Sequence, residues 1–99
     1  MQASRPFDQT RNAHLQDTEV AALYIEEALA SGDIDAFKLA LKHVAQARSG
    51  GVAELAEKSK LSREQLYRTL SPKGNPRLDT LYKVLKALDL RISILPQTQ

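Results

Sequence analysis

Apolar residues recur at intervals of three and four through Ile34, Phe37, Ala40, Leu41, Val44 and Ala45, the spacing that lines one face of a helix. Asp33 stands where an N-cap is wanted, Lys38 and Lys42 are read onto the outer face, and Ser49-Gly50-Gly51 stops the helix after about Arg48. The same period runs through Ala21, Ile25, Ala28 and Leu29, predicting a helix capped by Asp17 and ended near Ala30 by Ser31-Gly32. Val52, Leu55 and Ala56 mark a short helix, Leu66 and Leu70 a second, and Leu78, Leu81, Tyr82, Leu85 and Leu88 a last one, for which Asn75 offers a cap and Pro76 a first helical residue. Beyond it the period changes to two. Arg91-Ile92-Ser93-Ile94-Leu95 alternates, predicting a short strand ended by Pro96. A lone strand is not stable, so this one needs its own copy in a dimer or a partner's sheet edge. The other reading is an irregular tail that packs Ile92 and Ile94 on the domain. Residues 1–16 are polar, interrupted by Pro6, and follow neither period. They predict a flexible arm whose one aromatic, Phe7, either tucks onto the domain or anchors to a partner. The expected fold is all-α, about five helices with a short C-terminal strand over 17–95 and a tail at 96–99.

The two short helices change the picture most. Ser59-Lys60-Leu61 leaves room for only a tight turn between them, so residues 52–70 predict a helix-turn-helix. Ser62 can cap the second helix through its hydroxyl, and Gln65 can reach back to complete a capping box. Opposite the Leu66–Leu70 seam lie Arg63, Glu64, Tyr67 and Arg68, long polar side chains of little use to a helix made only for packing. The plainer alternative is a helical hairpin in a small bundle. Charge placement argues for the sharper reading. Residues 1–49 hold five cations against seven acids, a net of −2, whereas residues 50–99 hold nine against five, a net of +4. Between Lys60 and Arg77 there are five cations and only one acid, Glu64. A surplus on the exposed helix and the loop after it is what a phosphate backbone attracts.

Composition removes other functions. Ninety-nine residues suit one domain. The absence of cysteine excludes disulfides, thiolate metal sites and cysteine nucleophiles. His14 and His43 are the only histidines, and neither has neighbours at metal-ligand spacing. Gly50-Gly51 and Gly74 are helix stops and turn residues, not a phosphate cradle. No enzyme, metal or cofactor is expected. The first sixteen residues carry no apolar core of a secretory signal, and no run is long enough to span a bilayer. A cytoplasmic protein is the expectation.

The segments Glu54-Leu55-Ala56-Glu57-Lys58, Leu61 through Ser71, and Gly74-Asn75-Pro76-Arg77-Leu78-Asp79-Thr80-Leu81 resemble a known family. They are similar to the addiction-module antidote proteins of HigA type, within the larger Xre/Cro/phage-repressor class. Arg5-Pro6-Phe7-Asp8 and Tyr24-Ile25-Glu26-Glu27-Ala28-Leu29 with Gly32-Asp33 extend the likeness over nearly the whole chain. The resemblance implies a repressor-like domain acting as the antitoxin of a type II toxin–antitoxin pair. It would neutralise a RelE/ParE-like toxin, usually an mRNA-cleaving ribonuclease, and repress its own operon. The family usually has glycine in the turn where this chain has Lys60. If Lys60 takes positive φ, the strain is on the order of 1 kcal/mol.

Roles follow for double-stranded operator DNA. With the N-terminal end of the reading helix deepest in the major groove, Arg63 would bond guanine, and Glu64 would accept from a cytosine amino group or pair with Arg68. Tyr67 and Arg68 lie one turn along, within reach of a thymine methyl or a phosphate. Lys60, Ser62, Gln65, Lys73, Asn75 and Arg77 would hold the backbone, with Arg48 in a supporting part. One reading helix covers few base pairs, so a homodimer on an inverted repeat is expected. Three surfaces compete for the toxin: the arm 1–16, the acids Glu19, Glu26 and Glu27, and the strand 91–95. The rival functions are a stand-alone prophage-type repressor with no toxin, and a protein-interaction module that no longer binds DNA.

Overall fold

The computed structural model describes residues 6–97, with side chains from residue 9 onward. The described residues form six helices: α1 (Pro6–Leu15), α2 (Thr18–Ala30), α3 (Ile34–Ala47), α4 (Gly51–Ser59), α5 (Arg63–Leu70) and α6 (Leu78–Ala87). Their starts are chemically fixed where the sequence placed caps. The Asp17 carboxylate accepts from the Glu19 amide at 2.9 Å, and that of Asp33 accepts from the Asp35 and Ala36 amides at 3.0 and 3.3 Å. Each satisfies amides that a helix start leaves without partners.

The centre of the molecule is α3, which packs against α1, α2, α4 and α5, while α6 closes on α4. Leu41, Val44 and Ala45 on α3 are wholly buried, as are Leu66 on α5 and Val84 on α6. Val84 lies between the predicted Leu81 and Leu85 and was not among the expected core positions. Burying one such aliphatic side chain contributes about 1.5–3 kcal/mol, so α3 orients the two short helices that follow it.

Three expectations are corrected. Residues 6–15 are not an arm but a helix, with Leu15 buried at 2 % exposure and α1 packed on α2 and α3. Pro6 does not break this helix because it stands in the first helical position, where its missing amide costs nothing and its fixed φ suits the helix. The side chain of Phe7 lies outside the described residues. The strand at 91–95 does not form: these residues make no backbone hydrogen bond within the described chain, because no second edge lies beside them. Finally, α6 is capped at Arg77 and not at Asn75.

Several residues with a core period stay exposed: Leu29 and Ile34 at 53 % each, Leu78 at 74 % and Tyr82 at 56 %. No helix among the described residues is long and apolar enough to cross a membrane.

Candidate nucleic-acid interface

The α4–α5 connection is set by its backbone. The amide of Leu61 donates to the Ala56 carbonyl at 3.1 Å and that of Lys60 to Glu57 at 3.2 Å, the paired bonds that close a helix around a left-handed residue. That residue is Lys60, at φ 59° and ψ 33°. The positive φ foreseen as a condition is therefore present, on a side chain that lacks glycine's freedom. Ser59 is buried beside it because its hydroxyl donates to the Leu55 carbonyl at 2.6 Å.

The capping box at the start of α5 is complete. Ser62 Oγ accepts from the Gln65 amide at 3.0 Å, and Gln65 Oε1 accepts from the Ser62 amide at 2.9 Å. Leu66 and Leu70 then anchor the helix to the core, leaving Arg63, Glu64, Tyr67 and Arg68 exposed along its outer face. Glu64 pairs with Arg68 at 3.6 Å, both side chains well exposed. Such a pair contributes only about 0.3–0.5 kcal/mol, too little to prevent either residue from turning to a ligand. On α4 the Glu54 carboxylate, 2.8 Å from the Lys58 ammonium, raises that group above its ordinary range by accepting its hydrogen bond and by charge attraction.

Five of the ten expected residues converge on one cleft of about 350 Å³: Gln65, Arg68, Lys73, Asn75 and Arg77, with Leu61, Thr69, Gly74 and Thr80 completing its walls. Lys60, Ser62, Arg63, Glu64 and Tyr67 lie outside that cleft, exposed on the connection and on α5. Arg77 is held near the α6 N-terminus by Asp79 at 3.2 Å, again in solvent.

The loop that forms the far wall is fixed by a residue the periodicity argument put outside. Lys38 on α3 was expected to face water, yet it is 2 % exposed. Its ammonium donates to the carbonyls of Pro72 at 3.2 Å and Gly74 at 2.7 Å and pairs with Asp35 at 3.3 Å. Three donors meet three acceptors, which is why a charge can be buried there. The signal was available: position 38 falls three before Leu41 and seven before Ala45, inside the apolar stripe. Gly74 packs equally closely, because a Cβ on it would overlap the Arg68 carbonyl oxygen at the end of α5.

Arg48 is not at this face. Its guanidinium donates to the Leu88 carbonyl at 3.0 Å and to Thr18 Oγ1 at 3.5 Å, tying the start of α2 to the end of α6. His43 instead meets Tyr24, whose hydroxyl lies 2.6 Å from its Nδ1. Among the described residues no cluster of three or more His, Cys, Asp or Glu could hold a metal.

Comparison with known proteins gives two matches. A family model described as probable addiction module antidote protein matches residues 4–96. An uncharacterized protein of Haemophilus influenzae is 38 % identical over 81 residues, covering 82 % of this chain and 81 % of its own. No solved structure matches.

Proposed function

Because the chain belongs to the family of probable addiction module antidote proteins, we propose that it is the antitoxin of a type II toxin–antitoxin pair, of HigA type within the Xre/Cro class. It is a regulatory protein and not an enzyme. It binds operator DNA through α4 and α5 acting as a helix-turn-helix, represses its own operon, and neutralises a RelE/ParE-like toxin. The observation that carries the DNA half is the capped α5, whose outer face is polar and whose flanking cleft gathers Arg68, Lys73 and Arg77. The helix N-terminus adds its partial positive charge beside Arg63.

In this reading Arg63 bonds a guanine, Glu64 meets a cytosine amino group once it releases Arg68, and Tyr67 and Arg68 extend the contact along the groove. Lys60, Ser62, Gln65, Lys73, Asn75 and Arg77 fix the register on phosphates. One such helix reads few base pairs, so the operator-bound form is a homodimer on an inverted repeat. The acids Glu19, Glu26 and Glu27 on α2 are exposed, and Glu19 and Glu27 together suit a basic partner.

Two measurements test the proposal. A gel shift on the chain's own upstream region should show retardation that weakens as salt rises. Co-expression with the adjacent small reading frame should restore growth, and the two products should co-purify. A shift without rescue would identify a stand-alone repressor. Rescue without a shift would leave a protein-interaction module.

A further inference from the structure

We infer that two copies of this chain join through the apolar groove between α2, the start of α3 and α6, with residues 91–95 of each pairing antiparallel across a two-fold axis. The inference rests on the homodimeric reading above and adds the surface that makes the dimer.

The groove has a volume of about 450 Å³ and an apolar lining. Ile25, Phe37 and Leu85 form its buried floor, and Leu29, Ile34 and Leu78 stand exposed around it. Those last three follow the helical core period, so the sequence prepares them for burial that the single chain does not supply. A contiguous exposed apolar surface of this kind marks an interaction site.

The segment 91–95 borders the same groove through Arg91, Ile92, Ser93 and Leu95. Its pattern is that of a strand, yet its backbone is unpaired, and Ile94 is 91 % exposed. An extended edge with free amides and carbonyls pairs with another edge when one is offered. The nearest such edge is the same segment on a second copy. Antiparallel pairing centred on Ser93 sets each Ile94 opposite the partner's Ile92, so the most exposed isoleucine gains an apolar neighbour on one face of the ribbon. It also explains why the strand is absent from one chain alone.

Charge favours a second copy over a different protein. The groove has one acid and one base at its rim, Glu26 and Arg91, and no ion pair joins them within the chain. A two-fold axis turns each into the other's counter-charge, Arg91 of one copy towards the partner's Glu26. A surface that is self-complementary in this way is what an isologous dimer requires. A basic toxin would instead need the acids in excess.

The chain has no cysteine, so Ser93→Cys introduces a single thiol. Sedimentation equilibrium without DNA should give a dimer at micromolar concentration. Ile94→Asp and Leu78→Asp should each weaken association roughly tenfold or more, with helical circular dichroism unchanged because both side chains face solvent in the monomer, and Tm lowered only by the part that dimerisation supplied. Glu26→Arg should weaken the dimer, and adding Arg91→Glu should restore it. Mild oxidation of Ser93→Cys should yield a covalent dimer, since only residues facing each other across the axis meet the disulfide distance, whereas Gln46→Cys should not. A chain still monomeric at about 100 μM, which would put dimer dissociation far above micromolar, or a dimer indifferent to Ile94→Asp and Leu78→Asp, would overturn the inference. Gel shifts on the same variants separate the two readings. A dimer that uses this face but shifts no DNA leaves the interface standing and removes the operator function. A DNA-binding dimer untouched by these changes does the reverse.

Discussion

The ammonium of Lys38 donates to the carbonyl oxygen of Gly74 across 2.7 Å, joining the central helix to the loop that follows the candidate reading helix. The link spans 36 positions of sequence and sits at 2 % exposure. It explains how a loop with two prolines and a glycine, and no regular structure, is held against α5.

Removing that link should loosen the loop more than the core. Lys38→Met keeps the length of the stem but deletes every donor. It is expected to cost about 2 kcal/mol, the worth of hydrogen bonds from a charged group, and to lower Tm by roughly 10 °C. Thermal denaturation checks it, and a Tm equal to that of the parent would mean the loop is held by something else.

Gly74 has a steric reason and not a conformational one, because its φ is not in the left-handed region and the obstacle is the backbone carbonyl of Arg68. Gly74→Ala must therefore push the loop off α5. A loss of about 1–3 kcal/mol is expected, read from the urea midpoint, whereas Asn75→Ala on the exposed neighbour should leave it within about 0.5 kcal/mol.

At Lys60, stability and DNA affinity are expected to pull in opposite directions. At φ 59° it carries strain that glycine would not. Lys60→Gly should raise stability by about 1 kcal/mol, seen as a Tm rise of roughly 5 °C. The same change removes a cation from the turn. If that cation meets a phosphate, the slope of log affinity against log salt should fall by about 0.9.

Base reading and backbone holding should separate in a pair of variants. Arg63→Ala is expected to flatten the preference between operator and random DNA, at about 1–3 kcal/mol for the base pair read. Lys73→Ala should weaken all sequences alike and reduce the salt slope. Fluorescence anisotropy at several salt concentrations distinguishes them, and equal loss of preference from both would refute the division of roles.

Local chemistry was legible where a short stretch decides the outcome. The Asp17, Asp33 and Ser62 caps and the Ser62–Gln65 box follow from side chains within three residues of the amides they satisfy. The ranges of α2 to α5 follow from those caps and the apolar period. Pro6 shows the limit of such reasoning, since the same residue breaks a helix in its interior and opens one at its first turn.

What the sequence alone determined, then, is helices α2 to α6, the caps at Asp17, Asp33 and Ser62, and the concentration of cations after Ser59. The tertiary structure decided which apolar positions find a partner. Leu41 and Leu78 both obey the helical period, yet one is wholly buried and the other 74 % exposed. It also decided that Lys38 points inward, because carbonyls more than thirty positions away turn to meet its charge. Periodicity says which side of a helix a residue occupies; burial depends on what the rest of the chain brings to that side.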